Sequence, residues 1–513
     1  MPDSGSKQIR KALLPLVLSL SLFVMSNADA SELSPVPTDS WHYDELDWVL
    51  LNPPTKGEFH VSSRPFIRAD ILSIIPESYS DQTPQISWKA DKLKYGMARD
   101  YWLRSEDHKQ GGGGVDVRLR STPYFRSEYS DTLKPSYRVG FLQEVDVLLS
   151  DKLSLLIRGR LEDEGDKDPQ FRGRRWEDKL TGYFDYGVVT FRSGGLTLQL
   201  GRSFRIWGAG DTDRLLISGN SPAFDQLYAD FRYKRVMFQT FTARITDYYV
   251  DTDTTVARYF AGHRISLKPR RNIEIGLSET VLYGRRGTGI EWYYLNPFLP
   301  YYWEQYNNVA DDNIYMGADI IWWPFRNTRI YGELMMDDFQ IDFVTEPHQI
   351  GFDIGFSRLG IFSLDLLRID FQYTQIRNYV YGQRLTYNVY TNDAEVIGSS
   401  LGPDTDRFRY KVSLALTRDL TVSAGGHFAR KGEGRITDPQ DVALPRHEEF
   451  PSGVVQKSWT NSVVLDLLLG NWLDARAEAG YLDVENHGNS EQSLHSPFFK
   501  VDLRYNLEGW LGL

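Results

Sequence analysis

Side chains suited to binding chemistry are concentrated in one aromatic run. Between Trp292 and Tyr306 the sequence reads WYYLNPFLPYYWEQY, so aromatic rings stand beside amide and carboxylate groups. Such rings can stack on the C–H faces of sugars while the polar groups bind hydroxyls. The run is a candidate glycan site in a predicted external loop, with these candidate contacts: Trp292, Tyr293, Tyr301, Tyr302, Trp303 and Glu304. The alternative, which we favour, is that the rings plug a lumen or form an aromatic belt at a membrane interface.

Trp207 and Asn220 are two further candidate ligand contacts, in a stretch rich in glycine and small polar residues. An indole ring and an amide could hold a sugar in the same way as the aromatic run. They could equally order a loop that folds inward, because a buried ring packs and a buried amide bonds to backbone groups. We favour the loop-ordering role for both residues.

Catalytic and metal-binding patterns are weak. The nine histidines show no His-x-x-x-His spacing, and the absence of cysteine excludes zinc sites and disulfides built on thiols. Gly208-Ala209-Gly210 lacks the third glycine of a dinucleotide fingerprint. Asp211-Thr212-Asp213 and Asp251-Thr252-Asp253 lack a calcium-binding loop, so we interpret their carboxylates as solvated loop acids. We therefore predict a protein without catalytic residues, metal or cofactor.

The overall composition narrows the class of protein. The chain has 513 residues, with 69 acidic against 58 basic side chains and a formal charge of −11. This acidic balance argues against a nucleic-acid partner, because no broad basic surface is available to neutralise phosphates. Aromatic residues make up 14% of the chain. That excess is typical of proteins that cross two water–lipid interfaces.

The first 30 residues have the form of an export signal. Lys7, Arg10 and Lys11 precede an apolar stretch over residues 12–25, and Ala28-Asp29-Ala30 is a small-x-small cleavage site. We predict cleavage after Ala30, with an uncleaved anchor as the alternative. Later parts of the chain contain no apolar run of about 20 residues, which excludes a polytopic helical membrane protein.

From Val115 onward, apolar residues recur at every second position. Tyr137, Val139 and Val145 share one parity, whereas Arg138 and Glu144 occupy the other. The same alternation returns in residues 153–162, 196–200, 410–417 and 473–481. Each such strand has one apolar face and one charged face. The charged faces are predicted to line a lumen, with these side chains as examples: Arg158, Arg160, Glu162, Arg476 and Glu478.

The connections between these strands alternate between short and long. Tight turns are predicted at residues 150–152, 193–195, 233–235, 268–272, 418–419 and 470–471, and long loops lie between them. An up-and-down barrel places all of its tight turns at one rim and its long loops at the other, as bacterial outer-membrane barrels do. We therefore predict an all-β transmembrane barrel of about 18 antiparallel strands. Its last strand, ending at Leu513, would close the barrel.

The segment before the barrel has helical rather than strand periodicity. Helices are predicted near Trp41 to Leu50, from Pro65 to Ile75, and from Ile86 to Leu103. The predicted domains are a signal peptide over 1–30, a small α-helical periplasmic domain over 31–110, a glycine linker over 111–114 and an outer-membrane β-barrel over 115–513.

Several motifs in order resemble the Wzi capsule-assembly family. They are LGRSFRIWGAG at 200–210, LLISGNSP at 215–222, GLSE at 276–279, YLNP at 294–297, and the pairs at 307–308, 312–313 and 337–338. The resemblance covers most of the predicted mature chain. It implies a closed barrel with a helical periplasmic appendage that is lectin-like and holds capsular or other exported polysaccharide. One departure is Ala209, where the family often has proline.

We therefore expect an outer-membrane protein that binds surface polysaccharide and supports capsule assembly. Its expected partners are exported polysaccharide, outer-membrane lipid and the barrel-insertion machinery. The alternatives are a diffusion or polysaccharide-export pore and, from a different class, a hydrolase with its site at the barrel rim.

Overall fold

The computed structural model describes residues 33–75, 83–102, 115–130, 135–165, 173–177, 179–285, 287, 289–308, 311–338, 348–361, 364–438 and 449–512. The predicted signal peptide, its cleavage site and the glycine linker at 111–114 lie outside the described residues.

Eighteen antiparallel strands close into a barrel, which confirms the predicted fold class and strand number. The strands are β1 (Asp116–Ser130), β2 (Ser136–Ser150), β3 (Leu153–Asp163), β4 (Leu180–Ser193), β5 (Leu196–Ser203), β6 (Phe224–Tyr233), β7 (Val236–Tyr249), β8 (Thr255–Arg270), β9 (Ile273–Gly284), β10 (Asn313–Trp322), β11 (Thr328–Asp338), β12 (Gln349–Ile361), β13 (Leu364–Ile376), β14 (Thr405–Ala415), β15 (Leu420–Lys431), β16 (Gln456–Leu469), β17 (Leu473–Glu485) and β18 (Leu494–Tyr505, continued by Leu507–Gly512). Strand β1 pairs with both β2 and β18, and this pairing closes the barrel.

The two rims of the barrel differ as predicted. Tight turns, such as Gly194-Gly195 between β4 and β5 and Lys234-Arg235 between β6 and β7, all lie at one end, which we call the short-turn rim. The loops over residues 204–223, 285–312, 377–404 and 432–455 all leave from the opposite end, which we call the long-loop rim. Strands that follow one another in the chain are neighbours in the barrel, so each connection links two adjacent strands.

The two faces of the wall have opposite polarity. Outward positions carry exposed apolar side chains such as Tyr137 and Val139, whereas Glu144 and Asp146 on the same strand are buried inside. This arrangement is the reverse of a water-soluble barrel and is the one that hydrocarbon requires. The charged residues predicted to line the lumen share the inward parity, and Arg158 is paired there with Asp185 and Arg476 with Asp466.

Within residues 33–75 and 83–102, three helices precede the barrel: α1 (His42–Val49), α2 (Arg68–Ile74) and α3 (Pro84–Trp102). The predicted start of the second helix at Pro65 is wrong. The backbone of Ser63–Arg64 pairs with Ile206–Trp207 as a short two-stranded ribbon. Ile67 is also extended and its backbone forms an isolated bridge with Pro35, so the helix begins only at Arg68. Among the described residues, no helix has both the length and the apolar character needed to span a membrane.

The helical segment packs into the short-turn mouth of the barrel. Its apolar residues form one core with the barrel residues Ile321, Trp323 and Tyr331. Trp323 Nε1 donates to the carbonyl of Leu50 at 2.9 Å, and Asn52 bonds to Asn327 in the turn after β10. The segment fills this end of the lumen, because its polar groups pair with lumen-facing charges.

Charged contacts hold this segment at several depths. Asp39 accepts bonds from Arg158 at 2.6 Å and from Arg160 at 3.1 Å, both on β3. Burial alone would raise the pKa of the Asp39 carboxyl, but the attraction of Arg158 and Arg160 outweighs burial and holds that pKa well below its usual range. Asp70 on α2 bridges Arg192 of β4 and Arg232 of β6. The segment is therefore clamped to separate parts of the wall.

Candidate functional site

The loop over residues 204–223 folds into the lumen around Trp207. This ring is fully buried and packs edge-on against Phe241, with 5.2 Å between ring centroids. The backbone N–H of Trp207 donates to the carbonyl of Ile217, and Gly208 N–H donates to Ser62 of the helical segment, each at 2.9 Å. Trp207 therefore joins the infolded loop to the N-terminal segment, as the loop-ordering interpretation expects.

Carboxylates stabilise the tight backbone of this loop. Glu333 on β11 accepts bonds from the amides of Gly210 and Leu215. Asp211 is paired with Arg329, and Asp213 is paired with Arg407. The interpretation of these two aspartates as solvated loop acids is wrong, because the loop folds inward and places both carboxylates beside lumen arginines. Among the described residues, no cluster of three or more acidic or histidine side chains is arranged to hold a metal ion.

Asn220 connects the infolded loop to the loop over residues 377–404. Its side-chain amide donates to the carbonyl of Val396 at 3.0 Å. The hydroxyls of Tyr381 and Tyr390 donate to the carbonyls of Leu215 and Leu216, at 2.6 and 3.1 Å. The two loops form one buried cluster inside the long-loop end of the lumen. The structure thus places Asn220 in a loop-ordering position.

The aromatic run lies on the outer wall of the barrel. Tyr294 and Tyr301 are buried against a cluster of side chains on β8, β9 and β10: Tyr259, Ala261, Val281, Tyr283 and Ile314. These positions share the outward parity of the exposed residues Ile265 and Leu277, whereas the opposite parity carries Arg264, which bonds to Ser62 of the N-terminal segment. The run therefore neither enters the lumen nor extends freely from the rim.

We call residues 291–308 the aromatic cover. It contains a short 3-10 turn (Trp292–Leu295) and the helix α4 (Tyr301–Asn308). The carboxylate of Glu279, on β9, accepts the first two amides of α4, from Tyr301 at 2.9 Å and Tyr302 at 2.8 Å. His263 on β8 lies 3.1 Å from the same carboxylate. A carboxylate at a helix N-terminus is favourable because it satisfies unpaired N–H groups and the helix dipole.

A second set of contacts fixes the start and end of the cover. Asp312 accepts bonds from Arg285 at 2.6 Å and from the hydroxyl of Tyr294 at 2.8 Å. Arg285 also bonds to Glu291 and to the hydroxyl of Tyr293. The cover is thus held against the wall at two polar sites, one at Glu279 and the other at Asp312.

The aromatic run belongs to a long loop, as predicted, and this loop folds back along the outer wall. Trp292 and Trp303 are strongly exposed, Tyr293 and Tyr302 are half-buried, Tyr301 is fully buried, and Glu304 bonds within α4 to Asn308. The sequence did not indicate that Glu279 and His263 anchor the cover to the wall. One signal was available: outward positions of β7 to β9 carry Thr240, Thr242, His263 and Glu279 where apolar residues were expected.

Polar contacts also order the long-loop rim. Asp404 accepts bonds from Gly434 N–H at 3.0 Å and from the hydroxyl of Ser452 at 2.6 Å, which ties the loop over 377–404 to the loop over 432–455. Asn489 donates to the carbonyls of Lys431 and Val454, and Arg435 donates to Asn489. Three separate loops thus meet in one hydrogen-bonded surface. No motif in the sequence marks these residues.

Comparison with known proteins identifies the family. The family described as capsule assembly protein Wzi matches residues 120–496. This chain belongs to the Wzi family. The solved structure of Escherichia coli Wzi, an outer-membrane carbohydrate-binding β-barrel involved in group 1 capsule assembly, covers 91% of this chain and 99% of its own, with a TM-score of 0.61 and 13% identity. OprD of Pseudomonas aeruginosa covers 79% of this chain and 99% of its own, with a TM-score of 0.45 and 11% identity. A comparison with curated proteins finds no match.

The role of Glu279 in holding the aromatic cover of this Wzi-family chain can be tested by substitution. Glu279→Ala removes the acceptor for two amides at the start of α4 and leaves His263 beside an apolar wall. Loss of a carboxylate cap costs about 0.5–2 kcal/mol, and each buried donor left unpaired costs about 1–3 kcal/mol more. We expect faster amide hydrogen exchange and new protease cleavage within residues 291–308, while the barrel itself stays folded.

The matched control is Glu279→Gln, whose amide oxygen can still accept from one of the two N–H groups. It should give an intermediate exchange rate. Equal protection of the cover in native protein, Glu279→Ala and Glu279→Gln would show that the carboxylate does not hold it.

Proposed function

We propose that this chain is a non-enzymatic outer-membrane barrel that binds exported polysaccharide and supports attachment of a capsule to the cell surface. The observation that carries the proposal is that the chain itself occupies both ends of the lumen. The N-terminal segment fills the short-turn end, and the cluster around Tyr381 and Tyr390 fills part of the long-loop end. Such a barrel presents its long-loop rim as a platform. Carbohydrate binding by the solved Escherichia coli Wzi supports the same conclusion.

We assign the glycan contacts to the long-loop rim rather than to Trp207, Asn220 or the aromatic cover. Sugar hydroxyls need several fixed donors and acceptors, and preorganised groups bind with a smaller loss of conformational freedom. The rim supplies these groups on three loops that Asp404 and Asn489 hold together. Arg384, paired with Asp311 and exposed, adds a charged donor at the same rim.

The test uses purified full-length protein and the capsular polysaccharide of the producing strain. We expect retention of the polysaccharide by native protein and a several-fold loss of affinity for Arg384→Ala. Arg326→Ala is the matched control, because Arg326 is an exposed arginine in a turn at the opposite, short-turn rim. Equal affinity for all three proteins would remove the rim from the binding surface, and no retention by native protein would reject the proposed function.

In cells, deletion of the gene should release capsule into the medium without stopping its synthesis. Re-expression of native protein should restore cell-bound capsule, and Arg384→Ala should restore less. Normal cell-bound capsule in the deletion strain would contradict the attachment role. Turnover of a lipid, peptide or glycan substrate that a serine-reactive inhibitor abolishes would contradict the non-enzymatic assignment.

We infer further that the leader is removed after Ala30 and that the barrel-insertion machinery places the protein among outer-membrane lipids. The reversed polarity of the wall supports a lipid environment. N-terminal sequencing of the protein isolated from outer membranes should begin at Ser31. A sequence that begins upstream of this residue would contradict the cleavage site.

A further inference from the structure

The aromatic cover spans a polar gap in the outer wall. Most outward positions of this barrel are apolar, but Thr240, His263 and Glu279 occupy neighbouring outward positions on β7, β8 and β9. Polar groups of this kind are costly when they face hydrocarbon. Tyr301 packs on His263, with 4.4 Å between ring centroids, and its amide pairs with Glu279. The cover therefore separates these groups from whatever surrounds the barrel.

The outer surface of the cover is itself aromatic. Trp292 is 83% exposed, Phe298 81%, Trp303 70% and Tyr306 67%. Four large exposed rings on one segment of 18 residues form an apolar patch that water does not favour. Exposed patches of this kind mark interaction surfaces. The position of this patch on the outer wall indicates which partner it contacts.

The cover is continuous with the exposed apolar surface of the wall. Phe298 stacks on Phe238, with 5.6 Å between centroids and 11° between the ring planes. Phe238 lies on β7 directly between Phe231 of β6 and Ile265 of β8, and both of these neighbours are exposed and outward. The rings of the cover thus extend the same surface that hydrocarbon covers elsewhere on the barrel.

We propose that the aromatic cover is a lipid-binding surface whose partner is the bilayer at its boundary between acyl chains and polar headgroups. Phe298 contacts the acyl region beside Phe238 and Phe231. Trp292, Trp303 and Tyr306 carry an apolar ring with one polar group each, and such side chains are enriched at membrane interfaces. The cover anchors the barrel at a fixed depth and shields the Glu279–His263 pair from hydrocarbon. These rings then contact lipid rather than a glycan in water.

A single cysteine provides a clean test, because the native sequence contains no cysteine. Phe298→Cys and Trp303→Cys would each carry a bimane probe in the full chain, reconstituted in dioleoylphosphatidylcholine vesicles. Leu200→Cys, at an exposed outward position on β5, is the lipid reference, and Arg384→Cys at the long-loop rim is the aqueous reference. Quenching is compared between doxyl-labelled phosphatidylcholine in the bilayer and iodide in the buffer.

We expect doxyl lipid to quench both cover positions several-fold more than position 384 and to an extent similar to position 200. Iodide should show the opposite order. Quenching by iodide equal to that at position 384, or protection from iodide by added capsular polysaccharide, would overturn the proposal.

If a cysteine variant fails to fold, Trp303→Phe gives the same answer. Brominated lipid should quench a smaller part of the tryptophan emission in this variant than in native protein, and an unchanged quenched part would overturn the proposal. The result is independent of glycan binding at the rim.

Discussion

Glu274→Ala will release the N-terminal segment from the short-turn mouth of the barrel. Glu274, on the inward face of β9, accepts bonds from the amides of Val61 and Ser62 at 3.0 Å and from the hydroxyl of Ser62 at 2.6 Å. It also lies 3.5 Å from the ammonium group of Lys268. Removing the carboxylate leaves these donors unpaired and leaves buried Lys268 without its counter-charge, although its ammonium group still donates to the carbonyl of Phe59. Breaking a buried charged pair in this way costs about 3–5 kcal/mol.

The release should be visible in two measurements. Limited proteolysis from the short-turn side should cleave residues 33–75 in Glu274→Ala but not in native protein, and planar bilayers should show ion conductance only for the variant. His60 lies next to Glu274, and burial lowers the pKa of its imidazole to about 4. The ring is therefore neutral at pH 7, and Lys268 is the charged partner of Glu274.

Glu274→Gln is the matched control, since its amide oxygen keeps one acceptor for the Val61 and Ser62 donors while the charge is lost. It should conduct less than Glu274→Ala and resist protease better. Steady conductance in native protein would instead favour the pore alternative. Silence and full protease resistance in Glu274→Ala would show that the other clamps, such as Asp70 with Arg192 and Arg232, hold the segment without this carboxylate.

The barrel could be predicted from sequence because local and global patterns agree. Alternation such as Tyr137 against Arg138 fixes which face of each strand meets lipid, and the spacing of turns fixes which rim each loop joins. The helices could be placed to within a few residues for a similar reason. Their docking could not, because it depends on contacts between distant residues, such as Asp39 with Arg158, that no local pattern specifies.

The candidate site was only partly predictable. A buried role for Trp207 was anticipated, but its neighbours Phe241 and Ser62 come from parts of the chain that periodicity does not connect. For the aromatic run, a glycan site, a lumen plug and an aromatic belt at a membrane interface were all open, because a long loop can turn outward as well as inward. Outward polar residues such as His263 and Glu279 were the physical clue, because polar side chains that face hydrocarbon are costly.

Gly208→Ala will unfold the infolded loop over residues 204–223. Gly208 has a φ of +130°, in the left-handed region that side chains with a Cβ rarely adopt. An added methyl group would lie 2.8 Å from the carboxyl carbon of Glu333, whose oxygens hold the next turn of the same loop. The backbone strain costs about 1–3 kcal/mol. The steric conflict adds about 1–3 kcal/mol.

The measurement is the temperature at which the folded barrel unfolds in detergent, followed by its altered migration in gels, together with glycan retention. Gly187→Ala is the matched control, because a methyl group at Gly187 on β4 would meet no atom within 4 Å. The loop displaced in Gly208→Ala carries Leu215 and Leu216. The carbonyls of these two residues accept hydrogen bonds from the hydroxyls of Tyr381 and Tyr390 in the loop over residues 377–404. We therefore expect this variant to lose both thermal stability and polysaccharide binding, although residue 208 itself bonds to Ser62 of the N-terminal segment. If Gly208→Ala lost stability but retained the polysaccharide at native affinity, the rim would be ordered independently of the infolded loop, and the structural link between the two would be wrong.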